Sequence, residues 1–378
     1  MKCVDELSAE QLRGKRVLVR AGLDVPLDSS GEVADLFRVQ QASATLKFLS
    51  ERGARVIVLS HIGRDPGESN APVGRALQRH VPAVFIPDLV GNIAQEAVAA
   101  MKDGDIALLE NLRRDPGETN NDEQFAKRLA SFGDLYVDDA FSVAHRAHAS
   151  IVGIPKFLPH YAGFLMCEEV RQLDIARTPE SPSFAILGGA KFETKAPLID
   201  ALLANYGHVF IAGALANDVF KARGLEVGVS LVSKELPSAS VLQHPHFLAP
   251  VDVTVERPDK QARVKKPQEV AKDERIVDIG PDSIAEIAPL LSQAKFILWN
   301  GPTGLYEGGY VSWTHAIAEL IEKAVAGGAK AVIGGGDTIA AIQESGVPED
   351  KLGFLSTGGG AMLEYLLKGT LPGIEALQ

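Results

Sequence analysis

The sequence predicts an α/β fold: doubly wound parallel sheets in two lobes, joined by a helix. Three observations lead there. Short apolar, β-branched runs alternate with apolar residues at helical spacing along the whole chain, the pattern of parallel strands covered by helices on both faces. A chain of 378 residues with 46% hydrophobic content can fill two cores and exceeds what one usually holds. Residues 158–183 read as a connector. Met166, Val170 and Leu173 recur at helical spacing among Glu168, Glu169 and Arg171, and the exit from Arg177 carries two prolines. Loops before this stretch are rich in Arg and His, and loops after it in Gly, Lys and Asp. Two lobes that bind different ligands are expected. The competing reading is an ordinary helix inside one large domain.

Composition narrows the partners. The net charge of −11 argues against nonspecific nucleic-acid binding, which needs a broad basic surface. An anionic small ligand then requires a locally positive cleft. No apolar run approaches the ~18 residues of a spanning helix, and the polar N-terminus shows no signal core. A cytoplasmic protein is expected. The 2 cysteines, Cys3 and Cys167, are too few for a disulfide framework and read as reduced bystander thiols.

In the first half, strands are expected at 16–20, 55–59, 84–86, 106–109 and 135–137. Val39, Ala42, Leu46 and Leu49 line a helix that Gly53 can end. Phe125, Leu129 and Phe132 mark another. Ligands of a parallel sheet sit at the carboxyl ends of its strands. There the chain places residues 21–26 and Arg38, then the run SHIGR ending at Arg64, then Arg113, then the His- and Arg-rich run 138–150. One strand-end arginine is usually a solvated charge, but here Arg or His recurs at separate ends that the fold would converge. Arginine offers a planar fork of donors suited to carboxylate and phosphate. A small ligand with both groups is the natural guest. His145 and His148 lack a third metal ligand nearby and read as loop-orienting or anion-donating groups rather than a zinc site.

The second half repeats the alternation, with strands expected at 184–187, 208–211, 251–255, 276–279, 296–299, 331–333 and 354–355. Several run into glycine-rich turns that open helices. Bare backbone N–H groups at a helix N-terminus bind anions, and glycine lets a phosphate approach. Neither GxxxxGK[ST] nor GxGxxG occurs in these turns. Lys191 and Lys195 are four apart and would share one face of a helical turn. Asp337 could hold a Mg²⁺ carried in by phosphates. Glu307 could bind ribose hydroxyls. His244 and His246 lie in a loop and read as structural. A last helix covers residues 362–368, ended by Gly369.

Taken in order, SHIGR, LLENLR, DAF-x-x-AHRAHAS, GGAK-x-x-x-K, DIGP, WNGP-x-G-x-x-E, GGGDT and STGGGA resemble phosphoglycerate kinases over essentially the whole chain. The resemblance implies two Rossmann-like domains joined by a helix and hinge. They would be residues 1–157 with the tail 365–378 returning to them, a connector at 158–182, and a nucleotide domain at 183–364. It implies 3-phosphoglycerate or 1,3-bisphosphoglycerate on the first domain and ADP or ATP with Mg²⁺ on the second. It also implies a hinge-bending monomer that uses neither nucleic acid nor membrane. By matching position, Gly22, Leu23, Asp24, Arg38, His61, Ile62, Gly63, Arg64, Arg113 and Arg146 would hold the phosphoglycerate. Lys195, Asn300, Pro302, Glu307, Gly335, Gly336, Asp337 and Thr338 would hold the nucleotide, with Asp337 at the metal. Arg38, Lys191, Gly358 and Gly359 would stabilise the phosphoryl group in flight.

One motif departs. Where the family reads VRVDFNVP, this chain has Gly22 for the aspartate and Asp24 for the asparagine. An ionised Asp24 ~4 Å from a substrate anion would cost about 4 kcal/mol at an effective dielectric of ~20. Alternatively, Asp24 accepts the substrate hydroxyl in place of the lost aspartate. The departure leaves open a second function, a degenerate homologue that binds nucleotide in a regulatory role.

Overall fold

The computed structural model describes residues 1–378. The chain divides within the helix Phe164–Arg177: Met1–Arg171 with Thr370–Gln378 form one unit, and Gln172–Gly369 the other. No helix is long and apolar enough to cross a membrane.

The first unit is built on six parallel strands: β1 (Arg16–Ala21), β2 (Arg55–Leu59), β3 (Ala83–Phe85), β4 (Ile106–Leu108), β5 (Leu135–Asp139) and β6 (His160–Ala162). Their order is β3-β4-β2-β1-β5-β6. Val17, Leu18 and Val19 of β1 are fully buried, as expected of a central strand covered on both faces. Each such side chain contributes about 1.5–3 kcal/mol by leaving water. Val39, Ala42, Leu46 and Leu49 of the helix Phe37–Glu51 pack into this core. The order leaves the ends of β4, β2, β1 and β5 side by side, and their loops carry the site.

The second unit has a parallel sheet of β7 (Ser183–Leu187), β8 (His208–Ile211), β9 (Phe247–Leu248), β13 (Phe296–Asn300), β14 (Lys330–Gly334) and β15 (Phe354–Ser356), ordered β15-β14-β13-β7-β8-β9. β10 (Val253–Glu256), β11 (Ala262–Lys265) and β12 (Arg275–Ile279) form a separate antiparallel sheet, ordered β11-β10-β12. The apolar alternation predicts β10 and β12 as parallel strands, but both pair antiparallel. The short turn after β10, closed by Arg257 N–H to Gln261 O at 3.0 Å, returns the chain as a hairpin. A connection of that length cannot make a parallel crossover.

The cysteines correct the sequence reading. Cys3 and Cys167 form a disulfide, with Cα atoms 6.4 Å apart across a sequence separation of 164. Cys3 bridges Ala162 in parallel, and Ala162 N–H donates to Lys2 O at 2.8 Å. That pairing lays the N-terminus beside the first turns of Phe164–Arg177, where Cys167 lies. Composition carries no sign of such long-range pairing. Closing so long a loop restricts the unfolded chain, so Cys3→Ser should cost the oxidised protein about 2–5 kcal/mol. Denaturant unfolding measures this; identical midpoints for Cys3→Ser and the oxidised parent would contradict it.

Candidate functional site

In the first unit, the loops after β1, β2 and β4 are clamped by buried polar groups. Ser60 Oγ accepts the Leu23 N–H at 3.2 Å and donates to Ala21 O at 3.0 Å. Asn111 Nδ2 donates to Ile62 O at 2.9 Å. Glu110 accepts the N–H groups of Asn70 and Asn111 at 2.8 and 2.7 Å. Gly63 sits at φ +62°, the left-handed region that favours glycine. Its peptide is held from both sides: the N–H donates to Asp24 Oδ1 at 2.9 Å, and its carbonyl accepts from Arg113 Nη1. Arg38, near the start of Phe37–Glu51, donates to the Asp24 carbonyl.

Arg64, Arg113 and Arg146 line one cavity of about 380 Å³. Arg113 is drawn below the usual arginine range, first by burial and then by Arg146, Arg20 and Arg64, with Asp24 opposing. Cations crowded in this way leave room for an anion. The loop bearing Arg146 also carries His148, whose Nδ1 is 3.8 Å from Glu118 Oε1. Arg146 Nε donates to His145 Nε2 at 3.4 Å.

Asp24 is itself well held. Burial pushes its carboxyl up, but the neighbouring His61 imidazole, the Gly63 N–H and Arg38 together bring it down to about 2. His61 is drawn down to about 4, first by burial, then by Arg20 and Arg113 against the pull of Asp24. At neutral pH the pair is therefore a carboxylate beside a neutral imidazole. These partners keep Asp24 ionised. Gly22 is buried, and a Cβ there would lie 3.2 Å from Ser142 Oγ.

In the second unit, the ends of β7 and β13 approach closely: a Cβ on Gly188 would lie 2.3 Å from Pro302 O. Gly301 N–H donates to Thr338 Oγ1 at 2.7 Å. Asn300 Nδ2 lies 3.9 Å from Met362 Sδ. Gly335, at φ 100°, caps the helix Gly336–Gln343, which places Asp337 in its exposed first turn. Tyr306 Oη donates to Asp337 Oδ1 at 3.2 Å. A cavity of about 260 Å³ is bounded by Gly189, Gly213, Asn217, Pro302, Glu307 and Asp337.

The two lysines do not share a helical turn, which corrects the spacing argument. Lys191 precedes the helix Phe192–Asn205 as its N-cap, with φ 66° and ψ 74°. A left-handed lysine stores backbone strain of a kind that gathers at functional sites. Lys195 lies inside that helix and turns back to donate to Gly188 O at 2.8 Å. Gly359, at φ 48°, caps the helix Gly360–Lys368, and the Gly358 N–H donates to Ser356 Oγ at 3.0 Å.

Sequence reasoning missed three supports. Arg20 is fully buried beneath the first site; the signal was an arginine inside an apolar strand. Tyr306 holds Asp337. Asp278, in the DIGP run, borders the second cavity and is pushed up to about 7 by burial.

Comparison with known proteins agrees with this picture. The family model described as Phosphoglycerate kinase matches residues 5–369. The chain is 40% identical over 399 residues to a phosphoglycerate kinase of Salinispora tropica, covering 100% of this chain and 99% of the relative. It is 40% identical over 395 residues to one of Thermosynechococcus vestitus, covering 100% and 98%. Among solved structures, the Coxiella burnetii phosphoglycerate kinase superposes with TM-score 0.81 at 34% identity, covering 99% of this chain and 98% of that one. The Pyrococcus horikoshii enzyme gives 0.85 at 28% identity, covering 100% and 98%.

Burial brings the Lys195 ammonium down to about 8, against the raising pull of Asp337. A bound phosphate favours the charged form and raises that pKa. Nucleotide binding should therefore take up a proton at about pH 8.5 and weaken as pH rises through about 8. Calorimetry with MgADP in two buffers of different ionisation enthalpy measures the uptake. Lys195→Met should abolish it, and equal heats for the parent protein in both buffers would contradict it.

Proposed function

The chain belongs to the phosphoglycerate kinase family, and from that membership we propose how its residues divide the work. The enzyme transfers a phosphoryl group reversibly between 1,3-bisphosphoglycerate with MgADP and 3-phosphoglycerate with MgATP. The observation that carries the division is the arginine crowding of the first unit, where Asp24 opposes the mutual repulsion felt by Arg113. Arg64, Arg113 and Arg146 take the phosphate of 3-phosphoglycerate. Arg38, fastened to the Asp24 carbonyl, takes the carboxylate that accepts the phosphoryl group.

On the second unit, the cavity edged by Gly213 and Pro302 takes the nucleoside, with Glu307 at the ribose hydroxyls. Lys195 and the helix start at Gly335, Gly336 and Thr338 take the phosphates. A Mg²⁺ carried by the nucleotide would be held by the exposed Asp337 carboxylate, a hard oxygen donor suited to that ion. Bound there, it offsets phosphate charge. Lys191 and the Gly358–Gly359 backbone follow the charge of the phosphoryl group in transit. No protein nucleophile is required, because positioning and charge stabilisation carry such transfers. The two ligands must meet in line, so a hinge closure belongs to the proposal, as do a monomeric state and a cytoplasmic setting. In that reducing compartment, Cys3 and Cys167 stay bridged only if their potential lies below that of the glutathione pool.

A coupled assay with 3-phosphoglycerate and MgATP tests the reading; turnover of about 1–10³ s⁻¹ is expected. Nucleotide binding without turnover would instead favour a regulatory homologue. Arg38→Ala should lower kcat by about 10³-fold or more and raise KM far less, because a guanidinium that also follows the moving phosphoryl group acts mostly in the transition state. A kcat within about tenfold of the parent with a raised KM would reduce Arg38 to a ground-state clamp.

A further inference from the structure

Arg20 is 0% exposed and donates to three groups: Ser150 Oγ at 3.0 Å, the Ala21 carbonyl, and His61 Nδ1 at 2.9 Å. A guanidinium has donors and no acceptor. The His61 Nδ1 must therefore be the unprotonated, accepting nitrogen, so its proton sits on Nε2. That nitrogen is buried and makes no hydrogen bond within ordinary distance. Its neighbour is Asp24 Oδ2 at 3.5 Å. Contacts of this kind in ligand-free sites often tighten only when substrate arrives. The other carboxylate oxygen already accepts the Gly63 N–H, and the Asp24 side chain remains 38% exposed.

We propose that Arg20 is a positioning residue that locks His61 as the neutral Nε2–H tautomer. This N–H and the Gly63 N–H fix the Asp24 carboxylate as the acceptor for the hydroxyl of the phosphorylated acid. The inference rests on the phosphoglycerate reading above. It assigns to Asp24 the task left open by Gly22. Three donors then converge on Asp24: Gly63 N–H, His61 Nε2–H and the substrate hydroxyl. A carboxylate has lone pairs for all three, whereas asparagine offers one oxygen and turns an NH₂ toward a donor. The charged groups facing the pair are Arg20 and Arg113 at His61, and Arg38 at Asp24.

Two measurements on the full chain test it. Nitrogen-15 NMR of labelled histidines, with His61→Gln assigning the signal, should show His61 unprotonated at Nδ1 and protonated at Nε2 from about pH 5.5 to 8. An Nδ1–H tautomer, or an imidazolium at about pH 6, overturns the proposal. The second measurement compares binding of 3-phosphoglycerate with that of its analogue lacking the 2-hydroxyl. Asp24→Asn should weaken 3-phosphoglycerate by about tenfold or more and leave the analogue within about threefold. Tighter 3-phosphoglycerate binding, or an equal change for both ligands, overturns it. Arg20→Met, which removes the donor to Nδ1, should release the tautomer; if that variant does not fold, the parent spectrum still decides. Failure of the parent protein to bind 3-phosphoglycerate would instead refute the functional reading, and the spectrum remains interpretable without it.

Discussion

A fully buried guanidinium, that of Arg20, is the constraint around which the first unit is arranged. A buried cation is costly unless its donors are satisfied. Here a serine hydroxyl, a backbone carbonyl and a neutral imidazole accept from it. Ser150 is in turn held by Glu118, which accepts its N–H at 2.9 Å and its hydroxyl at 2.6 Å. Tyr136 Oη donates to Ser150 O at 2.6 Å. The network ties β1 and β5 to the short π-helical turn Ala149–Gly153, directly after the loop that carries Arg146. The loop that carries Arg146 is therefore anchored on a buried, hydrogen-bonded base.

The second unit solves a different problem. Its ligand site needs backbone, so the chain brings strand ends to distances that side chains forbid, at Gly188 against Pro302 and Gly213 against Gly189. Lys195 is half-buried and drawn down to about 8. Lys191 is exposed on a left-handed backbone. One unit thus gathers arginines on a buried polar base, and the other gathers close-packed glycine backbone and two lysines.

The legible part of the fold was the part written in apolar side chains. β1, β2, β8 and β13 are runs of buried Val, Ile, Leu and Phe, and their bounds were readable to within a residue. The three strands that went unseen lack that signature. His160–Ala162 holds no β-branched residue, Phe247–Leu248 is two residues long, and Ala262–Lys265 is mostly exposed. The strand-end arginines were legible because the topology of parallel sheets converges them. The disulfide and the Arg20–Ser150–Glu118 chain were not, because they join residues far apart in sequence. The partners that hold Asp24 were not legible either, because only the fold brings His61, Gly63 and Arg38 to it.

The most direct measurement is a crystal structure with 3-phosphoglycerate bound. The account predicts its phosphate on Arg64, Arg113 and Arg146, its carboxylate toward Arg38, and its hydroxyl within hydrogen-bond distance of Asp24, with His61 Nε2 drawn closer than the present 3.5 Å. A hydroxyl turned to solvent, or an Asp24 side chain rotated away from His61 and the ligand, would contradict it.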